Sequence, residues 1–248
     1  ADAHFEDANG STDFRREGER FLVDTTGPDG ARATFEVSDV FGFTPLQQVL
    51  LPLASGKKQA LTVAWDTDER RWYSLYPAET IPAGDPLHWT RPALNWNFSC
   101  ADCHATGLRR NYDAGRDAYA TSAARFDVGC QACHGPAERH LAWVAQKSGT
   151  DPGFDAPLGG PESWRELEAC ARCHARRAPL GDGFDHSHRL MDDFLPALLD
   201  ENLYFADGQI LDEVYEYGSF LQTKMHAKNV RCSDCHEPHA LTLRQQGN

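Results

Sequence analysis

Apolar and polar positions alternate through the first ninety residues and then give way to a helical spacing. From Arg20 to Thr26 and from Arg32 to Val37 the chain alternates around Gly27-Pro28-Asp29-Gly30, which predicts a β-hairpin. A second pair of runs, Ala60 to Trp65 and Trp72 to Tyr76, flanks the charged turn Asp66 to Arg71. Residues 1–90 are therefore expected to form a small β-rich N-terminal subdomain. Further on, the spacing predicts helices near 136–147, 161–175, 190–200 and 211–228, separated by Gly- and Pro-rich loops such as Thr150 to Pro161. The last of these carries Leu211, Val214, Tyr215, Phe220, Leu221 and Met225 at the spacing of a core helix. Residues 91–248 are expected to be a mostly α and irregular body, low in secondary structure.

Composition narrows the class. At 248 residues the chain is long enough to bury a core without disulfide staples. With Gly counted and Tyr left out, its 41% apolar share becomes about 46%, ordinary for a globular protein. The longest charge-free stretch, Phe41 to Gly56, holds two prolines and two glutamines and cannot make the roughly 20-residue apolar helix that a bilayer demands, so no membrane span is expected. A formal charge of −13 argues against nucleic acid and anionic lipid as partners. The chain begins at Ala1 without a basic and apolar leader, as a mature form or an excised fragment would.

The cysteines decide the chemistry. All eight fall in four pairs of one form: Cys100-Ala-Asp-Cys103-His104, Cys130-Gln-Ala-Cys133-His134, Cys170-Ala-Arg-Cys173-His174 and Cys232-Ser-Asp-Cys235-His236. With 11 His in 248 residues, a His after every pair by accident has odds on the order of a few in a million. In a helical turn the positions i, i+3 and i+4 share a face, so two thiols can bond the porphyrin edge while the imidazole reaches the iron. Disulfides, structural zinc and thioredoxin-like redox pairs leave the trailing His unexplained. The cofactor expected is therefore four haem c groups with their iron, held by Cys100, Cys103, Cys130, Cys133, Cys170, Cys173, Cys232 and Cys235, with His104, His134, His174 and His236 as proximal ligands. Covalent haem c places the mature chain outside the cytoplasm, in the periplasm or beyond. Only 62 residues serve each haem, so the porphyrins must crowd together and supply much of the apolar core.

Seven histidines remain: His4, His88, His140, His186, His188, His226 and His239. A sixth ligand decides whether an iron only shuttles electrons or can also bind substrate. His140, His226 and His239 lie close in sequence to a motif but are poorly placed to cap its own iron, so each is expected to serve a neighbouring haem. His88 lies upstream of the first motif in Asp85-Pro86-Leu87-His88-Trp89. His186 and His188 occupy a polar loop, and His4 lies near the start of the chain. Met191 and Met225 read as core filler rather than axial ligands. Spacing does not pair these imidazoles with irons, and His4, His186 and His188 stay as alternates.

The four motifs, with Asp85-Pro86-Leu87-His88-Trp89, Asn95-Trp96-Asn97-Phe98, Cys133-His134-Gly135-Pro136, and the run from Asp207 through Gly218-Ser219-Phe220-Leu221-Gln222 to His236-Glu237-Pro238-His239, resemble the multihaem cytochromes c linked to tetratricopeptide repeats, relatives of the tetrahaem cytochromes of nitrifying bacteria. The similarity runs from about Phe14 onward. It implies a multihaem cytochrome c fold and electron transfer through bis-histidine haems, and it supports His88, His140, His226 and His239 as distal ligands. Those relatives carry another haem motif before the β region and further motifs and helical repeats after it. Small multihaem cytochromes are also known to stack end to end, which would make His4 a candidate ligand in a neighbouring copy; the −13 charge opposes such association. The rival class is a multihaem oxidoreductase acting on a small nitrogen compound at an open iron, and a third is a redox or gas sensor. Every motif ends in His and spare histidines outnumber irons, so a non-enzymatic electron carrier is expected, its redox donor and acceptor unspecified.

Overall fold

The computed structural model describes residues 2–147 and 149–246. The chain divides into two compact units, residues 1–127 and 128–248.

In the first unit, β1 (Ala3–Asp7), β2 (Gly10–Glu17), β3 (Arg20–Thr26) and β4 (Arg32–Glu36) form an antiparallel sheet in that order. The predicted hairpin is β3 and β4. Alternation explains the two faces. Ala3, Phe14, Val23 and Phe35 stand opposite one another across the four strands and face inward. One position along, His4, Asp13, Asp24 and Thr34 make the polar face. His4 is thereby fixed in a strand, its Nδ1 2.6 Å from Asp13.

The second sheet runs β5 (Asp39–Phe41), β6 (Leu46–Pro52), β8 (Val63–Asp66), β9 (Arg71–Ser74), with β7 (Lys58–Ala60) also on β6. The strand expected from Ala60 to Trp65 is split. Leu50 pairs with Ala60 and Gln47 with Trp65, so four residues face two, and the excess is a bulge around Leu61 and Thr62. Strand β6 is buried on both sides, as its run of Val49, Leu50 and Leu51 implies. Val49 and Leu51 join Phe14, Val23, Leu61, Val63 and Trp89 in one core, on which Trp72 stacks against Phe14. Leu50 points the other way, into a cluster with Leu94, Trp96, Ala101, Ala105 and Leu108.

That second cluster corrects the expected boundary at residue 90. The first motif forms α1 (Ala101–His104), and Ala101 and Ala105 pack with Leu50, so the unit continues through Asp127 and includes the hairpin β10 (Tyr112–Asp113) and β11 (Ala118–Tyr119). Composition marked where cysteines begin; packing marks where the sheet's apolar surface ends.

The second unit is assembled from short pieces. They are α2 (Gln131–His134), α3 (Glu138–Gln146), α4 (Ser163–Ala171), β12 (Arg177–Pro179), α5 (Leu190–Asp193), β13 (Phe194–Pro196), α6 (Glu216–Leu221), α7 (Lys224–Ala227), α8 (Cys232–Cys235), β14 (His236–Glu237) and β15 (Thr242–Leu243). Two expected helices differ. The helix of 190–200 lasts one turn and becomes β13 on β12, because Pro196 biases Leu195 away from the helical region. The helix of 211–228 is α6 and α7. Tyr215 takes φ +59° just before α6, and Thr223 caps α7 by accepting from the His226 N–H at 3.1 Å. Leu211, Tyr215, Leu221 and Met225 are exposed, and the segment reaches the core through Val214, Tyr217 and the edge of Phe220 rather than as one continuous core helix.

Two outcomes follow for the β unit. Leu51 is 0% exposed, and Leu51→Ala should lower unfolding free energy by about 2–5 kcal/mol, read as a denaturant midpoint shift by tryptophan fluorescence. The Arg15 guanidinium and the Thr34 hydroxyl hold the Asp24 carboxyl below its ordinary value of 3.8. A lowered carboxyl stabilises fully above that ordinary value and loses the contribution as pH falls through the folded one. The stability gap between the unaltered chain and Asp24→Asn should thus be constant at neutral pH and close below about pH 4.

Candidate haem-binding sites

A motif in the first unit is seated by buried amides. Asn95 accepts from the Phe98 N–H at 3.0 Å and donates to Gln59 at 2.8 Å, while Gln59 donates to the Trp89 and Arg91 carbonyls. Asn97, 1% exposed, accepts from the Lys58 N–H at 2.7 Å and donates to Thr121 at 2.8 Å and to the Gly56 carbonyl. Gly56 must be glycine here: its φ is +72° and a Cβ would stand 2.0 Å from the Tyr119 carbonyl oxygen. The run Asn95-Trp96-Asn97-Phe98 therefore clasps the approach to Cys100 onto β7. Burial, then the neighbouring Cys103, pushes the Cys100 thiol up to about 11. His104 is exposed, with Phe41 edge-on at 5.4 Å, and on the same turn Asp102 forms a buried ion pair with Arg110. His88, in the same unit, is 6% exposed, with Nδ1 2.9 Å from the Thr90 hydroxyl. Its burial lowers its pKa and favours the neutral ring that ligation uses.

The second unit brings three motifs together. Motif 2 ends at Gly135, whose φ of +74° turns the chain toward α3. The His134 ring lies 4.8 Å from Phe154 and 6.1 Å from His239. His140 stacks on the same Phe154 at 4.0 Å and places Nδ1 2.8 Å from the Pro152 carbonyl. His186 puts Nε2 3.1 Å from the Ala132 carbonyl. Burial lowers the His134 pKa and the neighbouring His239 lowers it further.

Motifs 3 and 4 are joined by one buried carboxylate. Glu166, on α4 one turn before Cys170, accepts from the Ser233 N–H at 2.7 Å and from the Ser233 hydroxyl at 2.8 Å, with Arg231 3.6 Å away. Helix α8 is thus pinned to α4, and the Cys170 and Cys232 thiols meet: their hydrogen bond, then burial, drives Cys170 up, while Cys232 is lowered by the same bond. Beyond the motif, His174 Nδ1 is 3.2 Å from Glu216, and the Tyr217 N–H donates to the His174 carbonyl at 3.1 Å. His236 is exposed at the start of β14.

Two cavities lie beside these turns. One of about 470 Å³ is lined by Cys133, Phe154, Trp164, Ala169, Arg172 and His186, so the second thiol of motif 2 and the helix that leads into motif 3 face one space. Another, of about 300 Å³, is walled by Trp164, Leu167, Met191, Tyr217, Leu221 and His226. His226 therefore sits against α4. His188 stays on the outside, paired with Asp193 at 3.3 Å, and His4 stays with Asp13 and Glu6 on the β1 surface.

These residues fit haem c. None of the eight cysteines is tied up in a disulfide, and among the described residues no group of three or more His, Cys, Asp and Glu gathers around a bare metal position. The second unit also has an apolar surplus. Among its described residues nine hydrophobics are buried, against sixteen large ones exposed, including Met191 and Leu221 on the smaller cavity wall. A flat apolar macrocycle would cover such surface. Glu166, Phe154 and Glu216 carry no sequence signal that marks them. Each is a lone residue of ordinary type, singled out only by what folds against it.

Residues 88–177 match the family described as cytochrome c7 and related cytochrome c, a stretch that begins at His88 and spans motifs 1 to 3. The fold is similar to that in the crystal structure of outer cell wall cytochrome OcwA, at a TM-score of 0.50 and 18% identity over 82% of this chain and 44% of that one. The chain thus spans less than half the length of that protein. No curated protein matches the sequence. Together the motifs, the family match and the fold likeness support a multihaem c-type cytochrome with haem c as its cofactor, built on a β-rich N-terminal region and a body of low helical content.

Glu166→Ala should leave Ser233 without its carboxylate and loosen α8 from α4. The expected result is about 1–3 kcal/mol of lost stability and faster proteolysis near Cys232, with the β unit unaffected. Limited proteolysis with mass mapping reads both.

Proposed function

We propose that this chain is an exported tetrahaem electron carrier in which four covalent, bis-histidine haems relay electrons. The observation that carries the reading is the clasp at Glu166, which brings the Cys170 and Cys232 thiols together. Those thiols are the attachment points of two porphyrins, so the macrocycle edges they hold would be near contact, where electron transfer is fastest. The cavity shared by Cys133 and Ala169 supports a third haem beside them. When bound, haem c supplies a one-electron iron couple. The chain's own residues hold the rings in place, keep imidazoles neutral by burial at His88 and His134, and orient His174 through Glu216.

Export is supported by the covalent cofactor, which is attached to secreted chains, and by the fold likeness to OcwA, an outer cell wall cytochrome. No helix is long and apolar enough to cross a membrane among the described residues. For assembly into a filament the surface offers His4, exposed on β1 but held by Asp13 and Glu6, in a chain of charge −13. The proposal therefore stops at the single chain.

Intact mass and the reduced pyridine haemochrome spectrum of the purified chain should both count four haems. Carbon monoxide added to the reduced native protein should leave the Soret band unshifted, since every iron carries two imidazoles. A colourless protein of bare mass overturns the cytochrome reading. A shifted Soret band overturns the closed-iron reading and favours an oxidoreductase.

A further inference from the structure

Two imidazoles on opposite sides of one haem iron have their ring centres about 6.2 Å apart, given metal–nitrogen bonds of about 2.0 Å and about 1.1 Å from nitrogen to ring centre on each side. The His134 and His239 rings have centroids 6.1 Å apart and planes parallel to within 2°. They come from opposite ends of the second unit, 105 positions apart in sequence. Hydrophobic packing does not account for the approach, because the His239 side chain is 79% exposed.

The other histidines near motif 2 are otherwise engaged. His140 lies flat on Phe154, whose ring also meets His134, so Phe154 occupies the space between those two imidazoles. His186 directs Nε2 at the Ala132 carbonyl. His226 lies in the smaller cavity beside Phe220. His239 has the usual support of an axial ligand without an aromatic ring lying on it: Glu237 is 3.3 Å from its Nδ1, leaving Nε2 for a metal, and Arg244 holds that carboxylate at 2.7 Å, whereas His140, whose Nδ1 meets the Pro152 carbonyl, lies under Phe154.

We propose that His239 is the sixth ligand of the haem tethered by Cys130 and Cys133, opposite His134. The assignment rests on the haem c reading above and goes beyond it by pairing one distal histidine with one iron. It has a structural consequence. His236 is the proximal ligand of motif 4, and three residues span at most about 10 Å of chain. The segment His236-Glu237-Pro238-His239 would then ligate two different irons within that reach, binding the motif 2 and motif 4 haems to one short peptide.

The test uses the holoprotein carrying all its haems, counted by intact mass. In His239→Ala the haem count should stay at four while one iron in four opens, seen as a carbon monoxide shift of about a quarter of the Soret intensity and a matching loss of low-spin signal in electron paramagnetic resonance. His188→Ala, at an exposed ion pair, should open none. With haem 2 deleted by Cys130→Ala and Cys133→Ala, adding His239→Ala should open no further iron. Overturning results are a His239→Ala protein with every iron still closed, or one that still opens an iron after haem 2 is removed. Where a variant does not accumulate, a density map of the unaltered holoprotein decides: both Nε2 atoms on one iron supports the pairing, and any other side chain opposite His134 ends it. A protein of bare mass instead refutes the cytochrome reading itself, which separates the two failures.

Discussion

Residues 128–248 do not bury enough side-chain surface to account for their own fold. Their principal hydrophobic cluster is Leu167, Ala171, Ala175, Leu190, Phe194 and Tyr217, with Phe184, Phe220 and Cys232 at its edge. Around it the chain is written in helices of four to nine residues and strands of two or three, elements that cannot stand without something to pack on. Covalent porphyrins would resolve this constraint. Each would bring a large apolar surface tethered at two thiols and one imidazole, and the polypeptide is left to position those tethers.

It does so with buried polar groups rather than with a larger core. Glu166 ties α8 to α4, Arg172 donates to the Asp185 and His188 carbonyls at 3.1 and 3.0 Å, and Glu168 receives Arg189 through both oxygens. Buried or half-buried charges of this kind are costly unless every lone pair is answered. Here they are answered by backbone and side-chain partners, which makes them directional fasteners. The first unit uses the same device, in the amides of Gln59, Asn95 and Asn97, to hold its motif on an ordinary sheet core. The two units thus meet the same need from different starting points: one has a sheet core to lean on, the other its fasteners and the porphyrins proposed for it.

A carrier of electrons needs rigid spacing more than a substrate pocket, because each oxidation state must be accommodated with little rearrangement. Fasteners that join one motif directly to the next meet that need. The His236-Glu237-Pro238-His239 segment, where proline limits the backbone and Glu237 limits a ring, belongs to the same logic.

The chemistry and the hairpin were legible in the linear chain because both are local. The Cys-x-x-Cys-His spacing is complete within five residues, and Gly27-Pro28-Asp29-Gly30 turns β3 into β4 with no help from elsewhere. Helix α3 was legible for the same reason. What depended on distant partners was not. The strand near Ala60 breaks because β6 pairs with both β7 and β8, and the unit boundary moves from residue 90 to Asp127 because Leu50 is buried on the far side of its sheet. The distal histidines divide in the same way. Sequence could number the spare imidazoles, since supply is a matter of composition, whereas pairing His239 with His134 is a relation between residues 105 positions apart, and only the fold sets that distance.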